Sequence, residues 1–348
     1  MRRLPIFLLL ALVASGCDSD DPGASASVTV MTQNLYLGAD LFLVAQEPNP
    51  QLVPVRAAEL YGTMEASEPA ARMAAIAAEI AAIDPALVGL QEVSTYYVQS
   101  PGDNLPGAPN TPATDVTFDF LDLLMTALAA EGADYRVVSV STNADVELPA
   151  TTDGATFFDV RYQDADVILA RADVATSGAT EQSFAALVTI PVGGVDQTFV
   201  RGYQTVDATL GGLDFTFVNT HLEVGGEAEP IQVVQAGELA AAVGAIPGRV
   251  VVVGDINSDG NTGGTSYQTL TAALTDAVPA GAAPTCCQDD LLRNNASELR
   301  TRIDVVMHRG FDEVLAAEVV LDEPSDRVGG LWPSDHAGVW AELSATGL

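Results

Sequence analysis

Short apolar runs alternate along the chain with longer stretches of helical spacing. Ser27–Thr32 (SVTVMT) is strand-like and leads into Gln33-Asn34-Leu35-Tyr36-Leu37-Gly38. Ala70–Ile83 is alanine-rich, with Met73, Ile76 and Ile80 on one helical face, and Asp84-Pro85 ends the pattern. Ala86–Val93 (ALVGLQEV) reads as a buried strand that closes on polar residues. Gln99–Thr117 carries four prolines and little periodicity, which predicts a loop or a lid. A helix over Phe118–Ala130 and a strand over Tyr135–Ser141 follow. The second half repeats the alternation. Strands are predicted at Asp166–Ala170, Asp214–Asn219, Arg249–Gly254, Arg302–His308 and Ala337–Leu343, and helices at Ile231–Val243 and around Tyr267–Leu274. Ser177–Gln204 looks like a β-hairpin elaboration. No short-period repeat and no linker interrupts this order, so one α/β domain is expected over residues 28–345. The strand pattern by itself fits a doubly wound sheet as well as a sandwich.

An apolar fraction of 48% over 348 residues supplies a large core and excludes disorder for most of the length. Charge changes the picture more. With 47 acidic residues against 14 basic ones, all of them arginine, the formal net charge is −33. Nucleic acids are bound chiefly by neutralising phosphates with Lys and Arg. Broad nucleic-acid binding is therefore disfavoured unless arginines gather in one patch. Arg293, Arg300, Arg302 and Arg309 are the nearest approach to such a patch, and they read as ordinary surface charge.

The first seventeen residues, MRRLPIFLLLALVASGC, run from a basic start through an apolar stretch to small residues and Cys17. That is the layout of a secretory signal, and it is too short to span a bilayer as a mature helix. The Ala-Ser-Gly-Cys ending resembles a bacterial lipobox, in which the cysteine becomes the lipidated first residue. The expected organisation is a signal peptide over 1–16 and a lipidated Cys17 with a polar tether over 17–27. The anchor would then be lipid on the cell envelope, on its periplasmic or outer side. Cys286 and Cys287 are the other cysteines. Adjacent Cα atoms sit about 3.8 Å apart, below the usual disulfide range. Free thiols and a vicinal disulfide both fit the sequence.

Candidate chemistry gathers where apolar strands stop. Such ends carry Asn34, Gln91-Glu92, Asn219-Thr220-His221, Asp255-Ile256-Asn257 and Ser334-Asp335-His336, while Asp304 interrupts the apolar run RIDVV. Strand ends are where α/β proteins place sites. A carboxylate in a buried strand is costly unless an imidazole or a metal partners it. His308, between Met307 and Arg309, reads as surface structure. Asn34, Glu92, Asp255, Asn257 and Asp335 form a set of hard oxygen donors without thiolates, which suits Mg²⁺ or Mn²⁺ and less clearly Ca²⁺. Imidazole beside a hard metal is the equipment for attacking a phosphoryl centre with water.

The ordered motifs QNLYLG, GLQEV, NTHL, VGDIN, RIDVV and SDH resemble the endonuclease/exonuclease/phosphatase superfamily, also called DNase I-like, from about Val28 to Leu343. The resemblance implies a four-layer α/β sandwich, two face-to-face mixed β-sheets flanked by helices. It also implies a metal-dependent phosphoester hydrolase. Glu92 matches the metal-binding glutamate, with Asn34 beside it and Asp335 as a further metal-side carboxylate. His336 matches the general base, oriented by Asp304. Asp255 and Asn257 match the pair that positions nucleophile and phosphate, and His221 the histidine that hydrogen-bonds phosphate oxygens. Asp166 stands where many members have asparagine. The Tyr or Arg that often helps hold the phosphate has only Tyr96, Tyr97 and Arg171 as candidates. The resemblance does not fix a substrate. The acidic charge and the anchor favour a phospholipid headgroup or a small phosphoester, acted on by a Mg²⁺ enzyme. The alternatives are an extracellular nuclease acting on DNA or RNA, and a silent lipoprotein that keeps the fold for surface binding.

Overall fold

A computed structural model describes residues 25–104, 110–192 and 195–346; Cys17 and the expected signal peptide lie outside them. The first half runs β1 (Ser25–Asn34), α1 (Phe42–Ala45), α2 (Val53–Ala66), α3 (Pro69–Ile83), β2 (Leu87–Gln91), β3 (Thr95–Gln99), β4 (Val116–Asp119), α4 (Phe120–Ala130), β5 (Tyr135–Ala150) and β6 (Phe158–Arg171). It continues through β7 (Ala175–Ser183), β8 (Val188–Val192), β9 (Val195–Phe199), β10 (Gly202–Leu210) and β11 (Leu213–His221). The remainder is α5 (Glu229–Ala245), β12 (Val250–Asp255), α6 (Thr265–Thr271), β13 (Thr275–Asp276), β14 (Asp304–Arg309), β15 (Glu313–Val320) and β16 (Gly338–Thr346).

Most predicted elements are present, with shifted ends. The polar tether yields three residues to β1, because Ser25, Ala26 and Ser27 already pair with Thr346, Ala345 and Ser344 of β16. Helix α4 starts two residues late because the Asp119 side chain caps it by accepting from the Asp122 N–H at 3.0 Å. The 177–204 stretch is more than one hairpin. Its flanks, β7 and β10, join the second sheet, and only β8–β9 stand apart as a two-stranded unit.

Two mixed sheets build the body. One has the order β15-β16-β1-β2-β6-β3-β4, with β5 along the other side of β6; the second has the order β13-β14-β12-β11-β10-β7. Each contains one parallel pair, β1 with β2 and β11 with β12. Period-two alternation divides the cores. In β12, Val251 and Val253 face the first sheet, packing with Val30, Leu87, Ile168 and Val339, while Val250 and Val252 face α5 and α6. Helices α2, α3 and α4 cover the outer face of the first sheet. The result is helix, sheet, sheet, helix, and it excludes the doubly wound alternative.

The sheets are bolted together by a polar residue. Asn219 is fully buried; its Nδ2 donates to the carbonyls of Leu90 and Val167 and to Gln204 Oε1, and its Oδ1 accepts from Gln91 Nε2 at 2.7 Å. Gly89 makes this approach feasible, since a Cβ there would sit 2.4 Å from Asn219 Oδ1. Asn219 thus joins β11 to the facing sheet and is a fastening rather than a group facing substrate. Among the described residues no helix is long and apolar enough to cross a membrane.

Candidate active site

Because β1 and β2 run parallel, as do β11 and β12, their C-terminal ends gather at one pole between the sheets. The antiparallel strands β14 and β16 begin at that same pole. This brings Asn34, Glu92, His221, Asp255, Asn257, Asp304, Asp335 and His336 together from six separate segments.

Asp304 opens β14 directly opposite Asp255, the last residue of β12. It is fully buried, and its Oδ2 lies 2.9 Å from His336 Nδ1. Its backbone N–H donates to Thr285 Oγ1, which also accepts from Ile303. His336 is fixed on the other side by a relay, in which its N–H donates to Ser334 Oγ (3.1 Å) and that hydroxyl donates to the Asn34 carbonyl (2.7 Å). The free ring nitrogen Nε2 lies 3.9 Å from Asp255 Oδ2 and 4.0 Å from Cys287 Sγ. The adjacent Cys286 and Cys287 bring their sulfur atoms together beside the ring. Burial opposes a charge on His336, but Asp304 and Asp335 outweigh it and raise the imidazole well above its ordinary pKa.

Asn34 joins the two sheets' acids. Its Nδ2 donates to Glu92 Oε1 at 3.1 Å and to Asp255 Oδ2 at 3.3 Å, while its Oδ1 accepts from the Tyr36 N–H. Glu92 Oε2 accepts from the Leu37 N–H at 2.9 Å. Burial works against the Glu92 charge, yet His221 and His336 hold its carboxyl below the usual range. Asp335 is different: burial, with Glu92 and Asp255 adding to it, pushes its carboxyl up to about 7, and its Oδ1 is buried without a hydrogen-bond partner. Glu92, Asn34 and Asp335 are hard oxygen donors, and an orphaned carboxylate oxygen beside a second carboxylate fits a divalent cation.

Asp255 Oδ1 accepts from the Asn257 N–H, and Asn257 Nδ2 donates to the Leu222 carbonyl. Glu92 and Asn257 both have left-handed backbones, with φ of 54° and 50°. For residues other than glycine that conformation costs about 1–3 kcal/mol, and such strain concentrates at functional positions. His221 is sandwiched between carboxylates, Nδ1 being 3.5 Å from Asp166 Oδ1 and Nε2 3.5 Å from Asp255 Oδ2. Asp166 therefore faces the site.

Two arginines join the site that sequence reading did not assign. Arg201 Nη1 lies 2.7 Å from His221 Nδ1 and 3.1 Å from Nε2. Burial and Arg201 lower the His221 pKa, but Asp166 and Asp255 prevail and raise it. Arg201 and His221 together bring N–H groups and positive charge to one spot, which suits an anion beside them. The candidates for phosphate holding do other work. Tyr96 OH donates to the Leu37 carbonyl, Tyr97 OH donates to Gln163, and Arg171 pairs with Asp84 and Asp173 at the far end of β6. The second arginine is Arg72 of α3. Fully buried, it donates to the carbonyls of Leu35, Tyr36 and Pro333, tying the exit of β1 to the loop that carries Asp335 and His336.

His308 is not a surface residue. It is 6% exposed and packs edge-on against Phe311. Period two explains this, because His308 follows Val306 on the face between the sheets. The suspected arginine patch also dissolves. Arg302 is fully buried against Asp276 at 2.8 Å, and Arg309 is spent on the Val243 and Ile246 carbonyls.

A sequence profile described as the Endonuclease/Exonuclease/phosphatase family matches residues 31–336. Among solved structures, truncated Caenorhabditis elegans TDP2 is similar at 17% identity and a TM-score of 0.54, covering 92% of this chain and 98% of that one. An endonuclease/exonuclease/phosphatase family protein from Bacteroides thetaiotaomicron is similar at 18% identity and 0.53, covering 92% and 98%. TDP2 of D. rerio, solved in complex with a single-strand DNA product, is similar at 14% and 0.53, covering 92% and 100%. No curated protein matches the chain in sequence.

Proposed function

The chain belongs to the endonuclease/exonuclease/phosphatase family, and from that premise we propose that it is a metal-dependent hydrolase of small phosphoesters or phospholipid headgroups. One observation carries the reading. Asp304 holds His336 by Nδ1 while Nε2 lies toward Asp255 Oδ2, the oxygen that also accepts from Asn34, itself bonded to Glu92. An imidazole so held accepts a proton from water at Nε2, and Asp304 stabilises the cation that forms. Asp255 and Asn257 orient the water and the phosphate. His221 and Arg201 donate to phosphate oxygens as charge develops on them. Glu92, Asn34 and Asp335 would hold the metal, Mg²⁺ in our reading, which supplies charge neutralisation at the phosphate oxygens.

The test is turnover by purified protein of bis-nitrophenyl phosphate, nitrophenyl monophosphate, sphingomyelin vesicles and plasmid DNA, with and without Mg²⁺, Mn²⁺ and Ca²⁺. Glu92→Ala and His336→Ala should each abolish activity in a folded protein. Silence on all four substrates from a folded, metal-binding protein sinks the hydrolase reading and favours the surface-binding alternative. A nuclease is the second reading, supported by the likeness to a TDP2 solved with DNA product. The internal use of Arg302 and Arg309 and the net charge of −33 weigh against it.

We also propose that Cys17 carries a lipid that holds the protein on the cell envelope. Cys17→Ser should then release it into the soluble fraction; retention on membranes would exclude the anchor.

A further inference from the structure

A second group of acids lies apart from the phosphoester site, where the chain after β3 crosses the β5–β6 hairpin. Glu147 of β5 pairs opposite Arg161 of β6, so Asp159, two residues from Arg161, is its diagonal neighbour on the same face. Asp103 comes from the segment after β3. Each of the three offers a carboxylate oxygen within 4.8 Å of the others.

Asp159 is fully buried. Its Oδ2 accepts from the backbone N–H groups of Asp103 (2.6 Å) and Asn104 (3.0 Å), while Oδ1 has no hydrogen-bond partner among the described residues. A Cβ on Gly102 would lie 2.6 Å from that Oδ1, so the orphaned oxygen is turned toward the segment carrying Asp103. Glu147 repeats the arrangement. Its Oε2 accepts from the Ala113 N–H at 3.0 Å and its Oε1 is buried without a partner. Asp103 accepts from the Thr111 N–H at 3.2 Å.

A buried carboxylate oxygen with neither donor nor counter-ion is costly. The nearest guanidinium is already committed, since Arg161 grips Asp145 with two hydrogen bonds and gives its third to the Ala113 carbonyl. Among the described residues no ion pair reaches Asp103, Glu147 or Asp159. Burial raises the Glu147 carboxyl above its usual range, and Asp159 and Asp103 add to the rise.

We propose that Asp103, Glu147 and Asp159 form a calcium site, separate from the phosphoester site, that fastens Asp103 and the Thr111–Ala113 stretch to the β5–β6 hairpin. The donors are all hard oxygens, with no imidazole or thiolate among them. They come from a strand pair and an irregular segment, which suits the variable shell of six to eight oxygens that Ca²⁺ takes more than the strict octahedron of Mg²⁺.

Calorimetric titration of the full chain with CaCl₂ alone, at about 0.15 M salt, tests this. A Glu92→Ala background keeps the hydrolytic centre from contributing. One Ca²⁺ site should persist in that background and raise the melting temperature. Adding Asp159→Asn or Asp103→Asn should weaken it by about tenfold or more and abolish the thermal shift. Should Asp159→Asn fail to fold, Asp103→Asn, on the partly exposed segment, carries the test. With Glu92 intact, Asp103→Asn should leave Mg²⁺-supported turnover unchanged. A Ca²⁺ titration indifferent to Asp103→Asn would overturn the site, leaving the three acids as caps for backbone N–H groups. Equal binding of Mg²⁺ would overturn the choice of calcium. Neither outcome depends on whether the protein is a hydrolase.

Discussion

Replacing Asp304 by asparagine removes the charge behind His336 while keeping the side chain's shape and one acceptor oxygen. The contact is short, 2.9 Å, and Asp304 is fully buried. Unit charges about 4 Å apart attract by about 4 kcal/mol at an effective dielectric near 20. A hydrogen bond to a charged group is worth about 1.5–3 kcal/mol. The two figures describe one interaction, so the imidazolium loses about 3–4 kcal/mol of stabilisation rather than their sum. At 1.36 kcal/mol per decade, kcat should fall by about 100- to 1000-fold. Some stability should fall with it, since the raised His336 pKa means that the charged pair also supports the folded state, but less than the full amount. The Asp304 N–H bond to Thr285 and the pairing with Asp255 do not need the carboxylate, and Asp255 is relieved of a like charge that helps to raise its pKa. The assay is kcat on bis-nitrophenyl phosphate against pH at saturating Mg²⁺, with the melting temperature alongside. Asp304 is among the groups that raise the His336 pKa, so its loss should move the acidic limb to lower pH while the plateau drops. A plateau within about threefold of the parent with an unmoved limb would refute the dyad. So would a rate loss that merely tracks a lower melting temperature.

Arg201→Met should cost about 10- to 100-fold in kcat/KM, the worth of a charged hydrogen bond to phosphate, and an unchanged value would remove Arg201 from substrate binding. Arg72→Met fills the same space but leaves three buried carbonyls bare, so denaturant unfolding should show a loss of about 3–5 kcal/mol; less than about 1 kcal/mol would show that water replaces the guanidinium. His308 should make the protein less stable in acid. Burial lowers its folded pKa below 6.5 against the pull of Asp276, so its contribution is complete above the unfolded value and is lost as pH falls through the folded one. His308→Gln should therefore flatten the decline of the denaturation midpoint below about pH 6.5, and equal slopes for parent and variant would exclude the histidine as the cause.

Strand-end chemistry was legible because a buried strand shows as an apolar run, and the first polar residues after it stand out. Glu92 and Asp255 follow from that pattern, and Asp304 from being a lone carboxylate inside an apolar run. Their convergence did not, since it depends on two parallel pairs in separate sheets sharing one pole. Asn219 sits in the same motif as His221 and on the same face of β11, yet it fastens the sheets because it lies two residues back from the strand end, among backbone carbonyls of the facing sheet. Arg201 was hidden in an apparent elaboration, although a signal existed. Gly211 and Gly212, both with positive φ, make the tight turn of the β10–β11 hairpin, and counting outward from it pairs Gly202 with His221 and sets Arg201 beside it. Arg72 left no such trace, because one arginine on an alanine-rich helix looks like solvent-facing charge. His308 was misread by residue type when the alternation with Val306 pointed inward.

The direction of β1 has a bearing on which substrates come within reach. Ser25 lies at one pole and Asn34 at the other, nine residue steps apart, or about 30 Å at roughly 3.3 Å per residue. With a lipid on Cys17, residues 18–24 can span at most about 25 Å. That leash is too short to stand the body upside-down over its own anchor. With that anchor the mouth at Asn34 would open toward the surroundings and meet its own leaflet only obliquely, at full stretch. Soluble esters, or lipids of a facing membrane, are then the accessible pool. Lengthening the leash by about twenty Gly/Ser residues should leave turnover of soluble esters untouched and raise only that of lipids in the membrane that holds the anchor. If Cys17 carries the proposed lipid, such an anchor would keep the protein at the envelope while pointing its chemistry outward.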